Sequence, residues 1–397
     1  MQKVLEGVKV LDFSRYVAGA YCGTLLADMG AEVIRVERPG GEVDRELGPF
    51  APNGENIVYG MLLARNKKDI TLNTRSEKGR EILKELVKRV DIVVENYGVE
   101  GKKIMGLDYE LLSEVNPAII LVSISGFGSS GPYAKKLCFD AVAQGMSGAM
   151  CYTGFPENPP TRAAVAYVDY SSGIYGALGA MFALYYREKT GKGQMVDVAL
   201  ADAAVCFVAG MGVAAEYKLL NYIRPQIGNT SFYNYNNTYK AKDGWLFIYT
   251  LGNAIWQRFL KVIGREDLAQ DPRFKDDMTR WQNRDALDPI VSEWVSQYTV
   301  KEVSDLLEKA RVPCGQVKDI AAVINDPQVQ AREMIVDVDF PGVGPVPLNG
   351  VVTKLSKTPG SIEKRAPLIG EHNQEIYCDL LNFSQEEILQ LKQEGII

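Results

Sequence analysis

The first half of the chain alternates between short apolar runs and longer stretches in which apolar residues recur every three or four positions. The longer stretches at residues 21–29 and 76–90 have the spacing of amphipathic helices. The short runs are typical of strands that are buried on both faces. They lie at residues 8–13, 32–37, 91–95, 118–123 and 194–200. Alternating strands and helices predict a Rossmann-like α/β domain with a parallel sheet.

The pattern changes in the second half. A helix is predicted over 201–220, and residues 221–237, rich in Asn, Tyr and Pro, predict a linker or extended arm. Residues 341–347 are expected to form another connection. The chain is therefore predicted to contain a large α/β domain in two parts and a smaller inserted α+β domain. The predicted boundaries are 1–224 for the first part of the large domain, 225–325 for the small domain and 326–397 for the return.

Three local signals place elements in this second half. Residues 245–249 form a β-rich run that predicts a strand. Thr299 with Glu302, and Ser384 with Glu387, have the spacing of capping boxes, in which two side chains satisfy backbone N–H groups at a helix start. Each box predicts a helix that begins just after it.

Composition narrows the possible functions. The 397 residues contain 44 Lys and Arg against 50 Asp and Glu, a net charge of −6, with no basic run of the kind that binds nucleic acid. No span reaches the roughly 20 apolar residues needed to cross a bilayer. Six scattered cysteines without a C-x-x-C pair predict reduced thiols in a cytoplasmic protein. The single histidine, His372, argues against histidine-ligated metal and against a Ser-His-Asp triad elsewhere.

A glycine motif, G-x-G-x-x-G, occupies residues 126–131 after a predicted strand. Such a motif holds a dinucleotide when a helix starts directly after it and an acidic strand end follows about 20 residues on. Here Pro132 follows at once and no such acidic strand end is present. A nicotinamide site is therefore not favoured, which leaves a plain turn or a loop that moves over a ligand.

Asp169 lies between an apolar run and an apolar helix, with small residues behind it. In one interpretation it is an N-cap whose carboxylate accepts a backbone N–H. In the other it is an exposed carboxylate that forms a covalent acyl intermediate. Spacing alone favours the first.

Basic residues cluster at or beyond the predicted strand ends. Each is either a solvated surface charge or part of a site for an anionic nucleotide tail such as that of coenzyme A. They are Arg35, Arg38, Arg65, Lys67, Lys68, Arg75, Lys102 and Lys103.

Taken together, the motifs resemble the class III coenzyme A transferases, which include formyl-, carnitine- and bile-acid-type members. The resemblance covers nearly the whole chain. It rests on residues 5–13, 26–37 (LADMGAEVIRVE), 66–68, 95–97, 126–132 (GFGSSGP), 190–194 and 370–372.

The resemblance implies an acyl-CoA:carboxylate CoA-transferase with Asp169, in an Asp-x-x-Ser-Gly setting, as the nucleophile. Attack on a donor thioester would give an aspartyl–acyl anhydride and then an aspartyl–CoA thioester. Coenzyme A would be a substrate, with no tightly bound cofactor and no metal. The partners would be an acyl-CoA, a small carboxylic acid and a second copy of the chain in an interlocked homodimer.

By similarity, coenzyme A would contact eight residues, with Lys103 replacing a basic position that here holds Ile104. They are Val17, Ala18, Arg38, Leu72, Arg75, Asn96, Tyr97 and Lys103. Val17 stands where some formyl-type members have glutamine, and their tetraglycine loop is missing. These departures favour a carboxylic acid larger than oxalate. Tyr16, Met146, Tyr152 and Phe155 either shape an apolar acyl pocket or pack in the core.

Two alternatives remain open. The α-methylacyl-CoA racemases of the same superfamily pair a histidine with an aspartate as bases, and here Phe139 occupies the histidine position. Phenylalanine cannot accept a proton, so a racemase is disfavoured. A non-catalytic coenzyme A-binding protein is the other alternative, and it would bind coenzyme A without turnover.

Overall fold

The fold is taken from a computed structural model that describes residues 3–397. The chain divides into two compact units. The larger comprises residues up to Ala149 together with Arg162–Tyr222 and Pro327–Ile397, and the smaller comprises Met150–Thr161 and Ile223–Asp326. The larger unit is thus assembled from three segments of the chain.

A six-stranded parallel sheet forms the centre of the larger unit, as the apolar runs predicted. Its strands are β1 (Lys9–Asp12), β2 (Glu32–Glu37), β3 (Lys68–Thr71), β4 (Ile92–Glu95), β5 (Ile120–Ser125) and β6 (Met195–Ala199). The spatial order is β3-β2-β1-β4-β5-β6. Sequence analysis missed β3, which is an edge strand of four residues with two charged side chains.

Helices connect these strands or follow the last of them, and one short helix, Ala149–Tyr152, lies mostly in the smaller unit. They are α1 (Ala18–Asp28), α2 (Glu77–Val87), α3 (Gly98–Met105), α4 (Tyr109–Val115), α5 (Asp140–Met146), α6 (Ala149–Tyr152), α7 (Tyr167–Thr190), α8 (Leu200–Gly210) and α9 (Val213–Leu220). A 3₁₀ turn at Val43–Glu46 and a π turn at Ile57–Leu62 lie between β2 and β3.

The prediction of one helix over 201–220 was wrong. The segment breaks into α8 and α9, whose axes differ by 59°. Gly212 between them has φ +80°, a left-handed conformation that glycine adopts without steric cost. Among residues 3–397, no single helix has the length and apolar character to cross a membrane, and only this bent pair taken together meets that measure.

Alternate side chains of the central strands fill two apolar cores, one on each face of the sheet. Leu11 and Val93 belong to the core that α2 covers, whereas the neighbouring Val10 and Val94 belong to the core that α1 and α7 cover. This division follows from the two-residue period of a strand. It fixes the sheet between two helical layers and leaves its carboxyl edge free to hold loops.

The smaller unit has its own antiparallel sheet and helices. The strands are β7 (Asn236–Lys240), β8 (Trp245–Tyr249) and β9 (Cys314–Gln316); the helices are α10 (Asn253–Ile263), α11 (Asp277–Gln282), α12 (Arg284–Ser296), α13 (Val300–Lys309) and α14 (Ile320–Ile324). Two 3₁₀ turns occupy Glu266–Gln270 and Pro272–Phe274. The predicted strand at 245–249 and the capping box at Thr299 are confirmed.

The last segment returns to the larger unit through α15 (Pro327–Ala331), β10 (Ile335–Phe340) and β11 (Gly344–Asn349). The prediction of a connection over 341–347 was right only for residues 341–343, because β10 and β11 form an antiparallel hairpin and Pro345 and Pro347 lie within β11. Proline lacks an N–H, but a strand with one open edge tolerates it. A π turn at Glu375–Leu380 and α16 (Gln385–Gln393) follow, and the capping box at Ser384 is confirmed.

Candidate active site

Two clefts open in the larger unit near the carboxyl ends of its parallel strands, where α/β sheets commonly bind ligands. The first, here called the aspartate cleft, has a volume of about 250 Å³. Its lining is Arg15, Tyr16, Val17, Ala18, Asn96, Tyr97, Ile124, Ser125, Gly126, Leu137, Cys138, Phe139, Asp169 and Leu200. The second, the arginine cleft, has a volume of about 380 Å³. Its lining is Arg15, Arg38, Pro39, Glu42, Leu72, Asn73, Thr74, Arg75, Tyr97, Met105 and Gly395.

Asp169 is the only carboxylate that lines the aspartate cleft. It lies in the first turn of α7, inside the helix, and the N-cap position belongs to Ala166. The N-cap interpretation of Asp169 is therefore wrong. Among residues 3–397, no side chain or backbone group donates a hydrogen bond to the Asp169 carboxylate, and no cation pairs with it. Within these residues the carboxylate is therefore unpaired.

The surroundings of Asp169 raise the pKa of its carboxyl group above the ordinary value. Burial raises the pKa of the Asp169 carboxyl, and the nearby negative charge of Asp140 raises it further, to about 7. A carboxyl with such a pKa is half ionised near neutral pH. Perturbed values of this kind cluster at functional sites.

The Ser-Gly pair after Asp169 lets α7 approach α1 closely. A Cβ atom on Gly173 would lie 2.6 Å from the carbonyl oxygen of Ala18, so only glycine fits without a shift. The Ser172 hydroxyl donates to the carbonyl of Val168 at 2.8 Å and stays within the helix. The motif thus sets the turn that carries Asp169 against the start of α1, beside Val17 and Ala18.

Arg15 joins the two clefts, since both it and Tyr97 line each of them. Its guanidinium carbon lies 4.3 Å from the centroid of the Tyr97 ring, a cation–π contact, and its Nη1 is 3.9 Å from Glu42. Arg15 Nε is buried and has no hydrogen-bond partner within residues 3–397. Sequence analysis missed Arg15; the available signal was a cation in the turn after β1, two positions before Val17.

Asn96 lines the aspartate cleft as predicted, but its amide is engaged with the backbone of Arg15. Asn96 Oδ1 accepts from Arg15 N at 2.8 Å, and Asn96 Nδ2 donates to Arg15 O at 2.6 Å. These two hydrogen bonds pair the Asn96 amide with the Arg15 backbone in the way that neighbouring strands pair, and they fix the turn after β1. Asn96 therefore shapes the cleft through Arg15.

The structure brings seven of the eight predicted coenzyme contacts into the two clefts and places Lys103 apart. Lys103 is exposed and lines a separate groove with Arg80, Leu83 and Lys84. Its neighbour Lys102 points inward and donates to Ser123 Oγ at 3.1 Å. Successive residues of a helix point about 100° apart, so the side chain of Lys103 is turned away from the arginine cleft.

Most of the other basic candidates are internal ion pairs. Arg65 binds Asp28 and Lys67 binds Asp12, each at 2.7 Å and buried. Arg35 is buried and pairs with Glu37 and Asp44, Lys102 lies 3.8 Å from Glu95, and the partly exposed Lys68 pairs with Glu32 and Glu375. Of the basic side chains considered in the sequence, only Arg38 and Arg75 line the arginine cleft, where Arg15 joins them.

Aromatic rings form one wall beside the aspartate cleft. The centroid of the Tyr16 ring lies 5.8 Å from that of Phe139 and 6.2 Å from that of Tyr59. Tyr16 has φ +60°, a conformation that the Asp44 carboxylate supports by accepting Tyr16 N at 2.9 Å. Met146 of the proposed acyl-pocket residues is exposed and lines neither cleft.

The glycine motif at 126–131 is a turn that is fastened to β6. The Asp197 carboxylate accepts hydrogen bonds from the backbone N and the hydroxyl of Ser129. The next helix, α5, begins only at Asp140, so no helix N-terminus follows the motif directly. Gly126 lines the aspartate cleft. Within residues 3–397, no cluster of three or more His, Cys, Asp or Glu side chains has the arrangement of a metal site.

Comparison with known proteins gives consistent similarities over the full chain. The sequence profile of CoA-transferase family III matches residues 5–373. A succinyl-CoA–D-citramalate CoA-transferase of Chloroflexus aurantiacus is 36% identical over 99% of this chain and 98% of its own length. A formyl-CoA:oxalate CoA-transferase of Streptomyces coelicolor is 34% identical over 100% of this chain and 99% of its own. The crystal structure of a CAIB/BAIF family protein from Brucella suis superposes with a TM-score of 0.84, at 34% identity, over 96% of this chain and 100% of that one.

Proposed function

Since the chain belongs to CoA-transferase family III, we propose that it moves coenzyme A from an acyl-CoA to a carboxylic acid through covalent intermediates on Asp169. The chain is an enzyme, and acyl-CoA is its substrate. The observation that supports Asp169 is its carboxylate, which has no partner within residues 3–397 and lines a cleft that shares Arg15 and Tyr97 with the arginine cleft.

The proposed reaction begins when the Asp169 carboxylate attacks the donor thioester. The C–S bond breaks, coenzyme A leaves as a thiolate, and Asp169 becomes an acyl anhydride. The thiolate then attacks the aspartyl carbonyl, releasing the donor acid and leaving an aspartyl–CoA thioester. The acceptor carboxylate then attacks the aspartyl–CoA thioester, which gives a second anhydride and frees the thiolate. The thiolate attacks the acceptor's carbonyl in that anhydride, so the new acyl-CoA departs and Asp169 is regenerated.

The two clefts divide the substrate between them. We place the phosphorylated nucleotide end in the arginine cleft, where Arg15, Arg38 and Arg75 supply positive charge and Leu72 an apolar surface. The thioester end would lie in the aspartate cleft beside Val17 and Ala18. The shared Arg15–Tyr97 contact marks the passage between them. Lys103, in its separate groove, is left out of this assignment.

The acceptor acid is proposed to be larger than oxalate and mainly apolar. Leu137 is 89% exposed and Phe139 58% exposed at the rim of the aspartate cleft, and Tyr16 adds a third apolar surface. Arg15 is the only cation in the lining, and it already contacts Tyr97 and Glu42. Since we assign Arg15 to the coenzyme, a second carboxylate on the acid would have no further cation in this lining.

A screen of carboxylic acids against acetyl-, succinyl- and butyryl-CoA tests this function, with mass spectrometry of the acyl-CoA products. We expect transfer to aliphatic or aryl monocarboxylic acids in preference to oxalate and succinate. Binding of coenzyme A without turnover on any pair would favour a non-catalytic protein. Exchange of the α-proton of a 2-methylacyl-CoA with deuterated water would favour a racemase, which the Phe139 ring disfavours.

The fall of kcat/KM at low pH should reflect protonation of the Asp169 carboxylate. The carboxylate is the reactive form, and its pKa is raised to about 7 by burial first and Asp140 second. The value of kcat/KM should therefore be flat above neutrality and fall about tenfold per pH unit below about pH 7. Steady-state rates from pH 5 to 9 measure it. A profile flat down to pH 5 would contradict the assignment.

The enzyme is proposed to work as an interlocked homodimer. Ile174, Leu178 and Phe182 form a stripe along α7 at a four-residue interval and are 44–63% exposed, whereas the opposite face of α7 packs on the sheet through small residues. Exposed apolar patches of this kind mark protein–protein contacts. A second copy of the chain is the occupant that the family resemblance implies.

Light scattering after gel filtration should therefore give twice the chain mass of 43.9 kDa. The double variant Leu178→Glu/Phe182→Glu should shift the protein to monomer, because each glutamate would be desolvated at the interface. Glu188→Gln, on the same helix, is the matched control. A wild-type protein that is monomeric at micromolar concentration would rule out the dimer.

The proposed location is the cytoplasm. All six cysteines are free in the structure, from the buried Cys22 to the exposed Cys151 and Cys206. Reducing compartments keep such thiols unpaired. Fractionation of cells that express a tagged chain would test the location.

A further inference from the structure

The first backbone N–H groups of α7 are satisfied mostly from outside the helix. Val168 N donates to Asp140 Oδ2 at 2.8 Å, and Asp169 N donates to the same oxygen at 3.3 Å. Tyr167 N and Tyr170 N donate to the carbonyls of Val165 and Ala166. Because the N-cap residue Ala166 offers no side-chain acceptor, Asp140 takes over the capping role from the first turn of α5.

Asp140 is itself held firmly. Its side chain is 7% exposed, and its second oxygen, Oδ1, accepts from Gln144 Nε2 at 2.5 Å. The buried Gln144 also accepts from Ala163 N at 2.9 Å, so the same network fixes the segment that leads into α7. A carboxylate anchored on both oxygens can define the position of the residue that it caps.

We infer that Asp140 is a positioning residue for the nucleophile, which caps the helix turn that carries Asp169 and holds a negative charge beside the Asp169 carboxylate. The inference rests on the proposed function, since it concerns the same carboxylate. Phe139 and Asp140 are adjacent, so the cap also orients the ring at the rim of the cleft.

The charge of Asp140 has a chemical effect that a neutral cap would lack. Free Asp169 is an anion and is repelled by Asp140, whereas Asp169 in an anhydride or thioester is neutral and feels no such repulsion. The repulsion therefore raises the free energy of the free carboxylate relative to the covalent intermediates. Among residues 3–397, the other ionisable groups whose pKa responds to Asp169 are Tyr59, Tyr170 and Cys138, none of which is a cation, and Arg15 is the one cation that lines the same cleft.

The variant Asp140→Asn tests both roles, because asparagine retains an acceptor oxygen and loses the charge. We expect kcat to fall about 10- to 100-fold, because the NH2 group of asparagine cannot accept the hydrogen bond from Gln144 Nε2 that anchors the cap, and a loosened cap misplaces the nucleophile. We also expect the acid limb of kcat/KM to move to lower pH, with little change in KM for acyl-CoA because the arginine cleft is untouched. Circular dichroism and thermal unfolding verify that the variant is folded. Asp319→Asn, which changes the capping aspartate of α14, is the matched control and should behave as wild type.

A second variant separates position from charge. Gln144→Met removes the donor to Asp140 Oδ1 but leaves the negative charge, so kcat should fall while the acid limb stays near pH 7. It also carries the test if Asp140→Asn does not fold. An unmoved acid limb in folded Asp140→Asn, or wild-type kcat in both variants, would overturn the inference.

The outcome for Asp169 keeps the two proposals distinguishable. If Asp169→Ala is inactive and the Asp140 and Gln144 variants match wild type, the covalent mechanism stands and the positioning role fails. If Asp169→Ala retains transfer, the proposed mechanism itself fails, whatever the behaviour of Asp140.

Discussion

Asp169→Ala is expected to lower the rate of coenzyme A transfer at least about 10³-fold, because loss of a covalent nucleophile removes the pathway and not only a contact. The measurement is turnover of the best donor and acceptor pair from the screen. Binding of coenzyme A should be nearly unchanged, since the arginine cleft contains none of the altered atoms.

Chemical trapping supplies the second readout for Asp169. Hydroxylamine added to wild-type enzyme with acyl-CoA should convert the acylated carboxyl to a hydroxamate on the peptide that contains Asp169. The alanine variant should give no such adduct. Asp202→Ala, which changes an exposed aspartate in the first turn of α8, is the control and should keep both activity and adduct. Full turnover in Asp169→Ala would refute the covalent scheme.

Arg15→Met is expected to raise KM for acyl-CoA about 10- to 100-fold, the range that corresponds to losing one hydrogen bond to a charged group. The guanidinium lines both clefts, and its buried Nε lacks a partner within residues 3–397, so a bound substrate is the natural acceptor. Methionine keeps much of the apolar stem over the Tyr97 ring. Initial rates over a range of acyl-CoA concentrations measure the change.

Lys103→Met is the matched comparison, since it also replaces a cation with methionine, but in the separate groove that Lys103 lines. We expect less than a twofold change in KM. Equal effects of the two substitutions would mean that Lys103 reaches the substrate, as the family resemblance implied, and would contradict the placement in the separate groove.

The sequence predicted the sheet well because buried strands have a strong apolar signal. The bounds of β2 and β8 agree with the predicted runs at 32–37 and 245–249. The apolar signal failed where the chain bends within an apolar stretch, as at the left-handed Gly212. It also failed where proline lies in a strand with an open edge, as in β11. The domain boundaries at 224/225 and 325/326 stay a prediction.

The site was predictable where a residue is tied to a motif and obscure where it depends on a distant partner. Asp169 and Gly173 belong to one local pattern, and the structure shows the close helix approach that requires the glycine. The cap from Asp140 joins residues 28 and 29 positions apart, which no local spacing can reveal. The direction of the Lys103 side chain depends on how α3 is rotated about its own axis. Because neighbouring residues of a helix point about 100° apart, the sequence alone does not show which of Lys102 and Lys103 faces the cleft.

The thiol of Cys138 lines the same cleft as Asp169. Burial, and then the negative charge of Asp169, raise the pKa of the Cys138 thiol to about 11. At neutral pH the thiol of the free enzyme is therefore almost entirely protonated, and in the proposed acyl intermediate, where Asp169 carries no charge, burial alone keeps the thiolate scarce. The Cys138 thiolate would otherwise compete with the coenzyme's thiolate for an acyl group held on Asp169. Transfer of that acyl group to Cys138 would not lead on to a new acyl-CoA. The burial that raises the pKa of both groups would thus keep the Cys138 thiol from capturing the acyl group that the proposed mechanism holds on Asp169.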